Sequence, residues 1–280
     1  MNKLSREDRI KVVAALVEGN SIRSTVRMTG VAKNTVVKLL TDLGKACAEY
    51  HYEHVRDVTA KRVQCDEIWS FCYAKQANVP EDKKGEFGYG DVWTWTAIDP
   101  DSKLILTWFV GMRNAQCATY FMRDLKDRLA NRVQLTTDGL RAYLEAVDTA
   151  FGDEIDYAQL VKLYGTENTV PGKYSPAECI GARKQKVNGK PQAKHISTSH
   201  VERQNLTMRM SMRRFTRLTN GFSKKIENHG YAIALHFMYY NFVRMHKTLR
   251  CTPAMAAGVT DHLWEIADLV KLLEKKEESN

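Results

Sequence analysis

Val63-Gln64-Cys65-Asp66-Glu67-Ile68-Trp69 is the stretch that decides how the chain reads. Residues 63–73 are dense in β-branched and aromatic side chains, which predicts a strand. Two acids interrupt it. Burying an unpaired carboxylate is costly, so an acid here implies a cation or several donors nearby, unless Asp66 sits half-exposed on an edge strand. Glu67 is the rival. Its face of the strand also carries Trp69 and Phe71, which read as core, so Asp66 is the candidate.

Working outward, residues 92–98 and 104–110 have the same strand character. Asp99-Pro100-Asp101-Ser102 between them is turn chemistry and predicts a hairpin. Residues 114–130 carry Ala118, Phe121, Met122, Leu125 and Leu129 at helical spacing. A strand over 132–137, a helix over 140–150 and a strand over 155–161 follow. Three antiparallel strands, then helix, strand, helix, strand, is the α/β order of the ribonuclease-H-like fold. The expectation is a mixed five-stranded sheet with flanking helices.

Before this unit, residues 5–43 read as three short helices. Ser5 is a plausible cap with Glu7 and Asp8 in the first turn, Ser21 starts the second helix, and Gly30 punctuates. Gly44 is the expected end of the third. Short helix, tight turn and a helix with a polar front form the helix-turn-helix pattern. Lys33, Asn34, Thr35 and Lys38 on that front, with Arg23 and Arg27 before it, are suited to phosphates and base edges. The plainer alternative is a three-helix bundle with a solvated basic face. The division expected is a DNA-binding unit at 1–44, a linker at 45–61, a catalytic domain at 62–250 and a helical tail at 251–280.

Residues 163–198 have no sustained apolar period and read as a basic insertion, with a possible hairpin turn at Val187-Asn188-Gly189-Lys190. Residues 199–215 read as a basic helix and 226–243 as an aromatic-rich core helix. Asp261 is the expected cap of a last amphipathic helix. From Arg183 to Lys225 there are twelve Lys or Arg and one acid, Glu202. Solvated helices usually alternate charge, so this density suggests a track for a nucleic-acid backbone.

The bulk properties agree. The chain has 280 residues and a formal charge of +9, a field that favours polyanionic partners. Its 44% hydrophobic content supports a real core. The apolar runs are strand-sized, so no membrane span is expected, and the polar start suggests no signal peptide. The six cysteines form no C-x-x-C pair, so a structural zinc site has no support, and reduced, buried thiols in a cytoplasm are expected.

Two more acids stand where an acid needs a reason. Asp138 ends the strand before Gly139, at a strand end where sites gather in open α/β sheets. It also suits a turn or a helix cap. Glu202 opens the basic helix and could instead complete a capping box with Ser199. Three carboxylates brought together repel one another unless a cation joins them. Two Mg²⁺ ions about 4 Å apart would neutralise them and clamp the oxygens of a phosphodiester. Asn205 and Arg209 lie on the same face of the helix as Glu202.

These residues resemble a known family. Cys65-Asp66-Glu67-Ile68-Trp69-Ser70, Thr137-Asp138-Gly139 and Ser199-His200-Val201-Glu202-Arg203-Gln204-Asn205 look like the three acidic motifs of bacterial insertion-sequence DDE transposases, most similar to the insertion-sequence-one type. The ending from Tyr240-Asn241-Phe242 to Thr252-Pro253-Ala254 is similar too. The resemblance implies that Asp66, Asp138 and Glu202 are catalytic metal ligands for Mg²⁺, with Mn²⁺ as substitute. It also implies terminal inverted repeats and target DNA as partners, a homo-oligomer on paired ends, and a nucleoid-associated protein. Arg209 matches the basic residue that often follows the Glu, and Arg213 extends the DNA-binding set. Members of this type often carry a cysteine zinc motif before the helix-turn-helix, which this chain lacks.

Three other readings remain open: a structure-specific nuclease on the same fold, a domesticated transposase acting as a DNA-binding regulator, and an RNA-binding protein. The separate helix-turn-helix argues against the first. The presence of all three acids argues against the second. No aromatic-bearing strand motif supports the third.

Overall fold

The computed structural model describes residues 4–165, 179–216 and 220–278. Three helices open it: α1 (Arg6–Val17), α2 (Ile22–Thr29) and α3 (Lys33–His54). Strands β1 (Arg62–Cys72), β2 (Gly90–Ile98) and β3 (Ile105–Gly111) follow, then α4 (Ala115–Lys126), β4 (Gln134–Asp138), α5 (Ala142–Phe151) and β5 (Asp156–Tyr164). After β6 (Cys179–Asn188) come α6 (Ser199–Ser211), α7 (Ile226–Met238), the single turn α8 (Pro253–Ala256) and α9 (Ile266–Glu278).

The strands form one sheet in the order β3-β2-β1-β4-β5-β6. β1, β2 and β3 are antiparallel neighbours, β4 and β5 run parallel to β1, and β6 returns antiparallel on β5. The first five strands are the ribonuclease-H-like arrangement. The sheet has six strands rather than five, and the sixth comes from the basic insertion. β6 escapes a reading by periodicity because nearly all its residues, Arg183, Lys184 and Lys186 among them, are exposed. Its strand geometry comes from backbone pairing with β5 instead of a buried face. No hairpin forms at Gly189, where the chain turns out of the sheet with φ +65 after β6. Residues 166–178 of the insertion lie outside the described residues.

Local chemistry sets the helix starts. The Ser5 hydroxyl accepts from the Asp8 N–H at 3.1 Å, and Ser21 does the same for Ser24. α2 ends at Gly30 in the left-handed region (φ +72). Gly44 does not end α3, which runs ten residues further to His54. Its role is close packing: a Cβ at 44 would stand 2.3 Å from the Tyr231 carbonyl oxygen on α7. Nor does Asp261 cap α9. It pairs with His262, while Asp268 accepts from the Glu265 N–H at 2.8 Å just before the helix.

The expected 45–61 linker is therefore mostly helix and firmly attached. The buried Arg128 donates to the His51 and Val55 carbonyls at the end of α3 and to Asp124 on α4. A cation at a helix C-terminus is favourable there. α9 folds back on the N-terminal helices through Arg9–Glu277 at 3.3 Å and Arg6–Glu274 at 3.7 Å. One contiguous core joins Leu43 of α3, Trp95, Ile105, Phe121, Tyr143, Phe237 and Phe242. Burying each large side chain contributes about 1.5–3 kcal/mol. Asn241 seals the β3 edge: its Oδ1 accepts from the Ile105 N–H at 3.0 Å, and its Nδ2 donates to the Ile105 carbonyl at 2.9 Å. Cys47, Cys65 and Cys72 are buried, Cys117 and Cys251 half-buried and Cys179 exposed; all are free thiols. Among the described residues no helix is long and apolar enough to cross a membrane.

Candidate metal centre

Register places the first two acids. Cys65 pairs with Thr137 across the parallel β1–β4 ladder, so Asp66 and Asp138 come next, side by side. β4 stops at Asp138, and the Asp138 carboxylate closes the turn by accepting from the Leu140 N–H at 3.0 Å. The turn role and a place in the site therefore coexist.

α6 is laid across this position by two residues of β1. Gln64 Oε1 accepts from the backbone N–H of His200 (2.8 Å) and Val201 (3.2 Å), seating the first turn of α6. One turn on, Asn205 Nδ2 donates to Asp66 Oδ2 at 2.8 Å. Asn205, expected as a DNA contact, is buried, and its amide nitrogen is spent on Asp66. Its Oδ1 is also buried, with no hydrogen-bond partner among the described residues.

The tightest group of acids is Asp66, Glu67 and Asp138, whose ligand oxygens lie within 4.8 Å of one another. Glu67 is thus close to the site, although its face had suggested core. Trp69 and Phe71 are only half-buried, whereas Glu67 is buried and locked. Arg113 Nε donates to Glu67 Oε1 at 2.7 Å and Tyr143 Oη donates to Oε2 at 3.1 Å. Arg113 also stands 3.9 Å from Asp138 and 4.9 Å from the Trp93 ring centroid.

Glu202 falls outside that tightest group. Its carboxylate is held by Lys162 at 2.8 Å and by the Thr198 hydroxyl. Thr198, not Ser199, precedes the helix, so no capping box forms with Ser199. Glu202 is still near enough for its charge to raise the pKa of both Asp66 and Asp138.

Burial, then Glu67 and Asp138, push the Asp66 carboxyl up to about 7. Glu67 is raised by burial and by Asp138, against the opposing pull of Arg113. Asp138 is raised by burial, opposed by the Leu140 N–H, Arg113 and Lys162. Without a cation, ionising all of these groups at neutral pH is unfavourable. A hard divalent cation fits the place: it would relieve the repulsion and give the orphaned Asn205 oxygen a partner.

Sequence reasoning missed Arg113, Tyr143, Lys162 and Thr198. Only Lys162 left a signal, as a cation on β5 two residues beyond Leu160, the register partner of Asp138. The expected DNA-contact residues Arg23, Arg27, Lys33, Asn34, Thr35 and Lys38 are all exposed, with Lys38 paired to Asp42. Arg213 is exposed and Arg209 half-buried at the far end of α6.

No protein-family model matches the chain, and no curated protein matches it. Among solved structures, it is similar to the piggyBac transposase synaptic complex with hairpin DNA, at 9% identity and a TM-score of 0.44, over 99% of this chain and 75% of that one. It is also similar to the Mos1 strand transfer complex, at 12% identity and a TM-score of 0.25, over 85% and 76% of the two chains. The Mos1 mariner paired end complex with Mn gives 11% identity and a TM-score of 0.23, over 86% and 79%.

Proposed function

We propose that the chain is a DDE-type DNA transposase of the bacterial insertion-sequence kind, cutting and joining DNA at terminal inverted repeats. The observation that carries this is the crowding of Asp66 and Asp138 on neighbouring strands, under a helix that brings Glu202 to the same face. In a chain of net charge +9, such an acidic cluster at a strand end needs a chemical reason.

In this reading Asp66, Asp138 and Glu202 hold Mg²⁺, or Mn²⁺ in its place, in a site for one or two ions. Bound there, the metal would activate water or a 3′-hydroxyl and stabilise the leaving oxygen of a phosphodiester. The protein's own side chains do the positioning. Asn205 orients Asp66, and Gln64 fixes the start of α6 and hence Glu202. Arg113 and Tyr143 hold the Glu67 carboxylate in place by a hydrogen bond to each oxygen. Lys162 offers a positive charge beside Glu202 for a non-bridging phosphate oxygen. Arg23, Arg27, Lys33, Asn34, Thr35 and Lys38 read the terminal repeats, and Arg209 and Arg213 follow the backbone. The working form is a homo-oligomer on paired DNA ends in the cytoplasm.

The position of Glu202 outside the tightest acidic group favours one competitor, a regulator that binds DNA without cutting it. One assay separates the two. A labelled duplex carrying the DNA that flanks the gene is incubated with the full chain in Mg²⁺, Mn²⁺ or EDTA. Metal-dependent cutting at the element end, lost in Glu202→Gln with binding retained, is the expected result. Binding without cutting under every metal would replace the transposase by the regulator.

A further inference from the structure

Where α2, the end of α6 and α7 meet, the surface folds into a cleft of about 770 Å³. Arg23, Arg27 and Lys33 come from the N-terminal helices, and Arg213, Arg214 and Lys224 from the segment after α6. No acidic side chain is among the described residues lining it. The two sides are held close together. Gly19, in the turn between α1 and α2 at φ +82, lets that turn approach the end of α6, where a Cβ would stand 3.1 Å from the Ser211 carbonyl oxygen.

Two groups in the lining, one half-buried and one buried, lack the partners they need. Arg214 hydrogen-bonds Ser223 at 2.7 Å, but no carboxylate among the described residues pairs with it, and burial draws its pKa down to about 10. His236 is 4% exposed, and neither of its ring nitrogens has a hydrogen-bond partner among the described residues. A half-buried guanidinium without a counter-ion is unfavourable, and a buried imidazole without a partner is costly. Both costs fall if an anion with several acceptor oxygens enters the cleft. Arginine forks suit phosphate oxygens, and six cations without an acid suit a chain of them.

We propose that this cleft is a clamp for the phosphodiester backbone of DNA, gripped between Arg23, Arg27 and Lys33 on one side and Arg213, Arg214 and Lys224 on the other. The inference rests on the reading of the chain as a DNA-acting protein and adds where the backbone runs. Because Arg213 directly follows α6, a strand held here is tied through that helix to Glu202. DNA engaged by the N-terminal helices is thereby linked to the candidate metal centre.

The test uses the full chain and a labelled duplex, with binding measured by fluorescence anisotropy between 50 and 200 mM salt. The exposed pair Arg27→Gln/Arg213→Gln removes two clamp charges without touching the core; Arg214→Gln is run beside it, and melting temperature checks the fold. Each lost phosphate contact makes the slope of log affinity against log salt shallower by about 0.9, so the pair should lose about 1.8. Over that fourfold rise in salt, wild type should then weaken about 12-fold more than the double variant. A folded double variant with the affinity and slope of wild type would take the cleft off the DNA path, while wild-type binding kept the proposed function alive. Wild type that binds no duplex at any salt would remove both. Sodium triphosphate is the second probe. If it stabilises wild type but not the double variant while DNA affinity is the same in both, the cleft is a small-anion site and the clamp is wrong.

Discussion

Neutralising Asp66 should make the metal-free protein more stable above neutral pH. The pKa of the Asp66 carboxyl rises from 3.8 to about 7 on folding. A carboxyl raised in this way contributes its stability fully below the unfolded value and loses it as pH rises through the folded one. At 1.36 kcal/mol per tenfold change, the whole span amounts to about 4 kcal/mol, of which about 2.5 falls between pH 5 and 8. Asp66 is partly exposed, and solvent screening brings the loss toward about 1–2 kcal/mol. For a chain of this size that is a melting shift of roughly 2–4 °C. The assay is thermal melting in EDTA at pH 5 and pH 8, wild type against Asp66→Asn. The buried histidines titrate in both proteins, so the difference between the two curves isolates the site. Asp66→Asn should exceed wild type by only a little at pH 5 and by more at pH 8, and Mg²⁺ should raise the pH 8 melting point of wild type alone. Equal losses in both proteins, or a less stable variant at pH 8, would refute the crowding argument.

Other substitutions probe the remaining links. Gly44→Ala puts a Cβ 2.3 Å from the Tyr231 carbonyl oxygen and 2.5 Å from the Tyr231 Cβ, so α3 and α7 must separate at a cost of about 2–3 kcal/mol; an unchanged denaturation midpoint would contradict the packing role. Asn241→Leu strands the Ile105 N–H, while the Ile105 carbonyl keeps His51 Nε2 at 3.1 Å, and urea unfolding should show a loss of about 1–3 kcal/mol. Asn205→Leu should weaken Mn²⁺ binding by roughly 10–100-fold in calorimetry while duplex binding stays at the wild-type level. If instead DNA binding falls and metal binding holds, Asn205 is a DNA contact after all.

What was legible in the sequence was what local chemistry fixes. Ser5 and Ser21 announce helix starts because their hydroxyls serve N–H groups three residues on. The Asp99 turn announces a hairpin because its carboxylate accepts from the Asp101 and Ser102 N–H groups. Asp66 stood out because an acid in an apolar strand is costly, and Asp138 because it ends one. Long-range contacts left no such trace. Glu67 looked like a core neighbour because the partners that hold it, Arg113 and Tyr143, lie 46 and 76 residues away. Gly44 resembled a helix end because a glycine required for helix crossing reads the same in one dimension. β6 was hidden because backbone pairing needs no apolar pattern, and Asn205 because its face of α6 is set by where Gln64 seats that helix.

The most direct test of the account is where Mn²⁺ binds in crystals of the full chain, located by its anomalous scattering. An ion held by the carboxylates of Asp66 and Asp138 is expected, with Glu202 released from Lys162 toward it. Mn²⁺ absent from this face, or held by Glu67 while Glu202 stays on Lys162, would contradict it.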